Sequence, residues 1–186
     1  MESIWKKTAD LSEVTDALPT LTQDIQTEVA VIGGGMAGLL IAYQLKERGI
    51  PSVVLEAEQV AGGQTGNTTA KVTSQHGLIY QKLIDTLGEP AARQYARLNQ
   101  EAITEYARII RERKIACQWE EGFSALYSLR ESAPLRTEAE AALRLGIPAE
   151  YAVQSALPFP VAGEVRFLDQ AQFHPLLFLK GILPEL

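Results

Sequence analysis

The sequence predicts an α/β fold nucleated on a parallel, Rossmann-like βαβ unit, and three stretches predict it together. Val29 to Ile32 is an unbroken apolar run, Gly33, Gly35 and Gly38 follow it in G-x-G-x-x-G spacing, and a second β-branched run, Ser52 to Leu55, ends on Glu56. An apolar run without alternation suits a parallel strand covered on both faces. Glycines at that spacing, between a strand and a helix, open a dinucleotide-binding unit, and an acid roughly 20 residues further on closes it.

In chain order, residues 1–26 are polar with scattered apolar positions (Ile4, Trp5, Leu18, Leu21) and read as an irregular surface arm anchored by Trp5. They carry Lys6 and Lys7 but neither the apolar core nor the cleavage pattern of a signal peptide. After the first strand, Gly33 allows the tight turn, Gly35 lets a pyrophosphate reach bare backbone, and Gly38 lets the helix lie close on the strand. Phosphates would sit on the unpaired N–H groups at that helix N-terminus, where the dipole also favours them. Met36 to Arg48 reads as a helix buried on most sides, ended by Gly49 with Pro51 beyond. Glu56 can accept hydrogen bonds from a ribose hydroxyl, and its charge repels a 2′-phosphate.

Residues 57–75 are rich in Gly, Thr, Gln and Asn and read as a loop whose hydroxyls, on Thr65, Thr68 and Thr69, pass near the phosphate site. Leu78 to Leu87 and Pro90 to about Arg113 read as helices, the second with an apolar stripe of Ala91, Tyr95, Leu98, Ala102, Tyr106 and Ile109 and a charged, solvated opposite face. Ala116 to Trp119 and Phe123 to Leu129 suggest a hairpin turning through Glu120, Glu121 and Gly122. Pro134 to Leu145 is a helix closed by Gly146; Tyr151 to Val153 and Glu164 to Phe167 are short strands; Phe173 to Ile182 is an apolar helix with Pro175 in its first turn.

At 186 residues and 46% hydrophobic composition the chain can bury a sizeable core. Its net charge of -6 argues against a nucleic-acid partner or an anionic membrane surface, and its longest apolar run is interrupted by glycines and falls short of the ~20 residues a membrane helix needs. Cys117 is the single cysteine, which fits a reducing cytoplasmic compartment and reads as a small buried hydrophobe on a strand. His76 and His174, the two histidines, have no fixed partners in the sequence and read as helix-end or loop residues. No P-loop, metal-spaced cluster or Gly-x-Ser-x-Gly elbow is present.

The segments VAVIGGGMAGLLIAYQL, VVLEA, GGQTGNTTAKVT and FHPLLFLKGIL together resemble the glycine and D-amino acid oxidase-like FAD-dependent oxidoreductases, and TGNTTAKVT most resembles the branch with a C-terminal Rieske iron–sulfur domain. The resemblance implies an extended FAD held by Gly33, Gly35, Met36, Ala37 and Gly38 at its pyrophosphate and by Glu56 and Ala57 at its adenosine ribose. Gly63, Gln64, Thr65, Thr68, Thr69 and Ala70 would then lie toward the ribityl chain and flavin. It implies an FAD-binding unit over residues 1–76, the beginning of an inserted α+β substrate domain over 77–167, and a helix returning to the FAD domain over 168–186.

Family members run to several hundred residues, so the chain is expected to be the N-terminal part of such a protein, incomplete relative to the family. One cysteine cannot supply a Rieske ligand set. The implied function is oxidation of an amine or amino-acid C–N bond, with no catalytic side chain assigned; the alternatives are an NAD-binding Rossmann protein and a non-catalytic binding or assembly module. With so few parallel strands, an open sheet edge invites a homo-oligomer.

Overall fold

In the computed structural model, which describes residues 2–186, the elements in chain order are α1 (Ile4–Thr8), α2 (Ser12–Thr15), β1 (Val29–Ile32), α3 (Met36–Glu47), β2 (Ser52–Leu55), β3 (Lys71–Val72), α4 (Tyr80–Leu87), α5 (Glu89–Glu112), β4 (Glu120–Ser128), α6 (Ala133–Arg144), β5 (Ala149–Ala152), β6 (Gly163–Gln172) and α7 (Pro175–Ile182). They fall into two units: one takes in the chain up to Ala70 with Ile110–Gln118 and Phe173–Leu186, the other Lys71–Ile109 and Trp119–Gln172.

In the first unit β1 and β2 pair in parallel, from Val29 opposite Ser52 to Ile32 opposite Leu55. Helix α3 lies on one face, burying Gly38, Leu39, Ala42 and Tyr43. The strand expected to be covered on both faces is covered on one: Val31 is buried, whereas Ile32 is 79% exposed. The reason is physical rather than local, since among the described residues β1 pairs with β2 alone and nothing within the unit lies over its second face. For the same reason α3 is not buried on most sides, and Ile41 faces outward. The Tyr43 hydroxyl joins the helix to the 110–118 segment, donating to Glu47 Oε1 at 3.1 Å and accepting from Arg113 Nε at 2.9 Å. Burial raises the Tyr43 phenol above its ordinary range. Helix α7 packs on α3, with Pro175 at its first positions and His174 as its N-cap.

The arm expected to be irregular instead forms α1 and α2, the first capped by the Ser3 hydroxyl. Its anchor is Trp5, whose indole Nε1 donates to Thr68 O at 2.8 Å and whose ring meets that of His174 edge-on at 5.0 Å.

The second unit is an antiparallel sheet with β6 in the middle, flanked by β4 along one edge and by β3 and β5 along the other. The hairpin expected at Glu120–Gly122 does not form. Those residues belong to a single strand, β4, and the glycine marks an irregularity in its pairing with β6 between Gly122 and Ser124, opposite Asp169 at φ +55°. Cys117 is buried as expected, but off any strand, with its carbonyl accepting from His174 N at 2.7 Å.

Helices α4, α5 and α6 cover the sheet, with Tyr80, Ala92, Ala96, Leu135, Ala142, Val165 and Phe167 in the core. The buried line of α5 is Ala92, Ala96, Ile103 and Ile109; Ile109 belongs to the expected stripe, but the others are shifted from it, and Tyr95 and Leu98 are exposed. Alanine lets the helix axis approach its neighbours closely, so the small residues turn inward. At the start of α4 the buried Glu138 of α6 accepts from the N–H groups of Ile79 and Tyr80 at 2.8 Å and of Gln81 at 3.3 Å, satisfying donors a helix start leaves orphaned.

Candidate dinucleotide site

The strand-to-helix turn follows from two glycines. Gly33 leaves β1 at φ +103° while its N–H extends the parallel ladder to Leu55 O at 2.8 Å. A Cβ on Gly38 would lie 1.9 Å from Gly33 O and 3.3 Å from Val31 Cγ1, so the helix can close on the strand only because that carbon is missing. The loop backbone is bare at Gly33 and Gly35, where a Cβ would meet nothing within 4 Å and only Thr65 Oγ1 at 3.3 Å respectively, whereas Gly34 between them is buried against Glu56 and Val60. An extended anionic ligand can therefore reach this backbone, as a pyrophosphate group requires.

Glu56 closes the site from β2. Its Oε2 accepts from Gly34 N at 2.7 Å and its Oε1 from Glu58 N at 2.9 Å. The Glu58 N–H first, then those of Gly34 and Ala57, hold the carboxyl below the ordinary glutamate range. The residue is exposed, and a carboxylate has about four acceptor positions, so each oxygen keeps capacity for a ribose hydroxyl.

The following loop comes back over the helix start. Ala61 N donates to Gly34 O at 2.9 Å, and the Thr65 hydroxyl, in a 3₁₀ turn over Gln64–Asn67, accepts from Met36 N at 2.9 Å. Asn67 Nδ2 donates to Gly63 O at 2.9 Å and Ala70 N to Thr68 Oγ1 at 3.1 Å, shaping the turn from within. Ala61 and Ala70 bracket the segment at φ 59° and 61°, a left-handed conformation unusual for alanine.

The expected residues thus gather unevenly. Gly33, Gly35, Met36, Gly38, Glu56 and Thr65 converge on the loop and the first turn of α3, joined through Gly34, a residue the spacing argument passes over. Ala37, Ala57, Gly63, Gln64, Thr68 and Thr69 are exposed along the loops, and Ala70 is buried at the loop's end, where its carbonyl accepts from Phe173 N at 3.3 Å.

His174 turns inward: Leu177 N donates to its Nδ1 at 3.3 Å and its Nε2 lies 2.9 Å from Thr8 Oγ1. His76 Nδ1 lies 2.9 Å from the Tyr95 hydroxyl in the second unit. Among the described residues no group of His, Cys, Asp and Glu could hold a metal ion, and no helix is long and apolar enough to cross a membrane.

A family model described as "FAD dependent oxidoreductase" matches residues 28–185. Over its whole length the chain is 40% identical to the Bacillus subtilis protein YhfW, named for a Rieske 2Fe-2S iron–sulfur centre, and covers 36% of that protein. It is 33% identical over 107 residues to the gamma-glutamylputrescine oxidoreductase of Escherichia coli, a match covering 55% of this chain and 24% of the enzyme. Among solved structures, the L-proline dehydrogenase of P. horikoshii superposes with TM-score 0.65 at 14% identity, covering 88% of this chain and 42% of that one. The glycine oxidase of Bacillus cereus superposes with TM-score 0.60 at 18% identity, covering 86% and 43%. At such identity the structural likeness concerns the fold, and the chain spans well under half the length of each of these proteins.

Proposed function

The chain belongs to the FAD-dependent oxidoreductase family, and from that premise we propose that it supplies the FAD-binding portion of an oxidoreductase acting on a C–N bond of an amine or amino acid. The observation that carries the reading is the bare glycine backbone facing Glu56 and Thr65, which suits a dinucleotide with an unmodified adenosine ribose. Gly33 to Gly38 take the pyrophosphate, Glu56 and Ala57 the ribose, and the Gly63–Ala70 segment runs toward the ribityl chain. When bound, FAD supplies the redox centre that accepts a hydride equivalent from the substrate. The substrate class is supported by the names of the relatives, which include an oxidoreductase of gamma-glutamylputrescine, a dehydrogenase of proline and an oxidase of glycine. The second unit is the beginning of the domain that receives this substrate.

Gly35→Val tests the site. The fold has room for a Cβ there, with only the Thr65 hydroxyl near it, so the variant folds while its branched side chain fills the pyrophosphate volume. Calorimetric titration should show at least a roughly 100-fold loss for FAD and ADP-ribose, in line with a misplaced ligand in a preformed site, with the melting temperature almost unchanged. Equal binding by variant and wild type would place the cofactor elsewhere. NADP should not compete for the site, because its 2′-phosphate would meet the Glu56 carboxylate.

A further inference from the structure

We propose that α1 is a clamp that positions Thr65 for dinucleotide binding, an inference that rests on the proposed site and adds Lys6, Trp5 and Ser3 to it as positioning residues. Each of the three reaches across to a backbone carbonyl of the loop around Thr65. Lys6 Nζ donates to Gly62 O at 2.8 Å, the Ser3 hydroxyl donates to Gly66 O, and Trp5 Nε1 donates to Thr68 O at 2.8 Å. The carbonyls so held lie on both sides of Thr65. The stem of Lys6 also lies against Gly66, where a Cβ would come within 2.6 Å of Lys6 Cε and 3.1 Å of Ala61 O.

The loop needs an outside hold. Its internal bonds include Gly62 N to Gln59 O, Asn67 Nδ2 to Gly63 O and Ala70 N to Thr68 Oγ1, all local in sequence, and alanines in left-handed backbone bracket it. Residues in such conformations persist only where their surroundings over-determine them. The helix that supplies the hold is fixed in turn. Trp5 packs on the His174 ring, Thr8 Oγ1 lies 2.9 Å from His174 Nε2, and Thr8 also donates to Ile4 O at 2.7 Å. The chain of contact therefore runs from His174 through α1 to the loop, and from Thr65 to Met36 N, where the pyrophosphate is placed. Thr65 is a neutral acceptor at the helix start, and the clamp fixes its hydroxyl beside the Gly35–Met36 backbone that the pyrophosphate is proposed to approach.

The test is calorimetric titration with ADP-ribose and with FAD on the wild type, Lys6→Met, Lys6→Arg, Thr65→Val and the Lys6→Met/Thr65→Val pair, with circular dichroism to establish folding. Lys6→Met keeps most of the stem and loses the bond to Gly62 O; its ADP-ribose affinity should fall about tenfold, the loss of one charge-assisted hydrogen bond. Lys6→Arg should restore most of it. On the Thr65→Val background Lys6→Met should cost no more than about twofold, because residues acting through one contact are not additive. Should Lys6→Met unfold the chain, Trp5→Phe, which keeps an aromatic ring beside His174 and loses the indole N–H together with one ring, carries the same comparison. Wild-type affinity in the folded Lys6 and Trp5 variants, or full additivity in the double variant, overturns the clamp while leaving the site. A wild type that binds neither ligand overturns the site and the clamp with it.

Discussion

Gly38 and Gly35 differ by what a single carbon would meet, and the difference separates folding from binding. Gly38→Ala must push Gly33 O aside, a backbone atom that cannot yield cheaply, and should lower unfolding free energy by about 2–3 kcal/mol in a urea titration. Gly35→Ala meets only a hydroxyl at 3.3 Å and should cost less than about 1 kcal/mol. Glu56 adds a pH dependence. Its carboxyl is held below the ordinary glutamate range, so its hold on Gly34 N is fully present above that range and is lost as pH falls through the lower folded value. Hydrogen exchange at the Gly34 amide, referred to its intrinsic rate, should show protection falling over that acid window in the wild type and already weakened in Glu56→Gln at neutral pH. These residues were legible in the sequence because the requirements on them are local: a missing Cβ, and an acid at a strand end. Thr65 was legible only as a hydroxyl near the site, since its bond to Met36 N spans 29 positions. In the arm only Trp5 was legible, as an anchor; Ser3 and Lys6 carried no readable signal, because they act on backbone carbonyls, which every residue has.

At the level of elements, helix starts hold two of the buried polar side chains. Glu138→Ala would leave the N–H groups at the start of α4 without a partner in a buried setting and should cost about 2–4 kcal/mol by denaturant midpoint, with Glu138→Gln losing less because an amide oxygen still accepts. His174 caps α7 only while its Nδ1 is unprotonated, a tautomer that leaves the Nε2 proton for Thr8 Oγ1. Burial keeps its pKa below the ordinary histidine value, so the unfolded chain takes up a proton first. The stabilisation is complete above the ordinary value and falls away as pH drops below it. Asparagine also caps helices, so His174→Asn should keep stability near neutrality and flatten its loss between pH 7.5 and 5.5. Helices α3 to α7 were read from the sequence nearly to their ends, since Gly88 and Gly146 stop α4 and α6 by means visible in sequence, whereas α1 and α2 were not. Strands were read less well. Gly122 signals a turn and a pairing irregularity equally, and β6 was seen only as far as Phe167 because Leu168, Asp169 and Gln170 interrupt the apolar pattern. What keeps them in the strand is pairing with β4 and the side-chain bonds of Gln170 to Thr73 and Ser74, contacts far away in sequence.

For the molecule as a whole, the outer edge and second face of β1 are open among the described residues, with Ile32 exposed. Such an edge pairs with whatever strand is at hand. The chain by itself should therefore associate with increasing concentration in light scattering, and Ile32→Lys should suppress this; a strictly monomeric wild type would show that the edge is protected. The place of β6 has a consequence in time. Strands β3, β4 and β5 all bond to β6, which follows them in the chain, and α7, which packs on α3, comes later still. On a ribosome adding residues in order, β3 waits roughly 5–20 s for its partner to be made. Through that interval the edges of the sheet-to-be hang unpaired and the side of α3 that meets α7 is uncovered. A nascent chain of this sequence is thus held in a sticky, half-built state until Gln172 and then Ile182 emerge. Its demand for a holding chaperone should drop abruptly at that point rather than decline evenly as the chain lengthens.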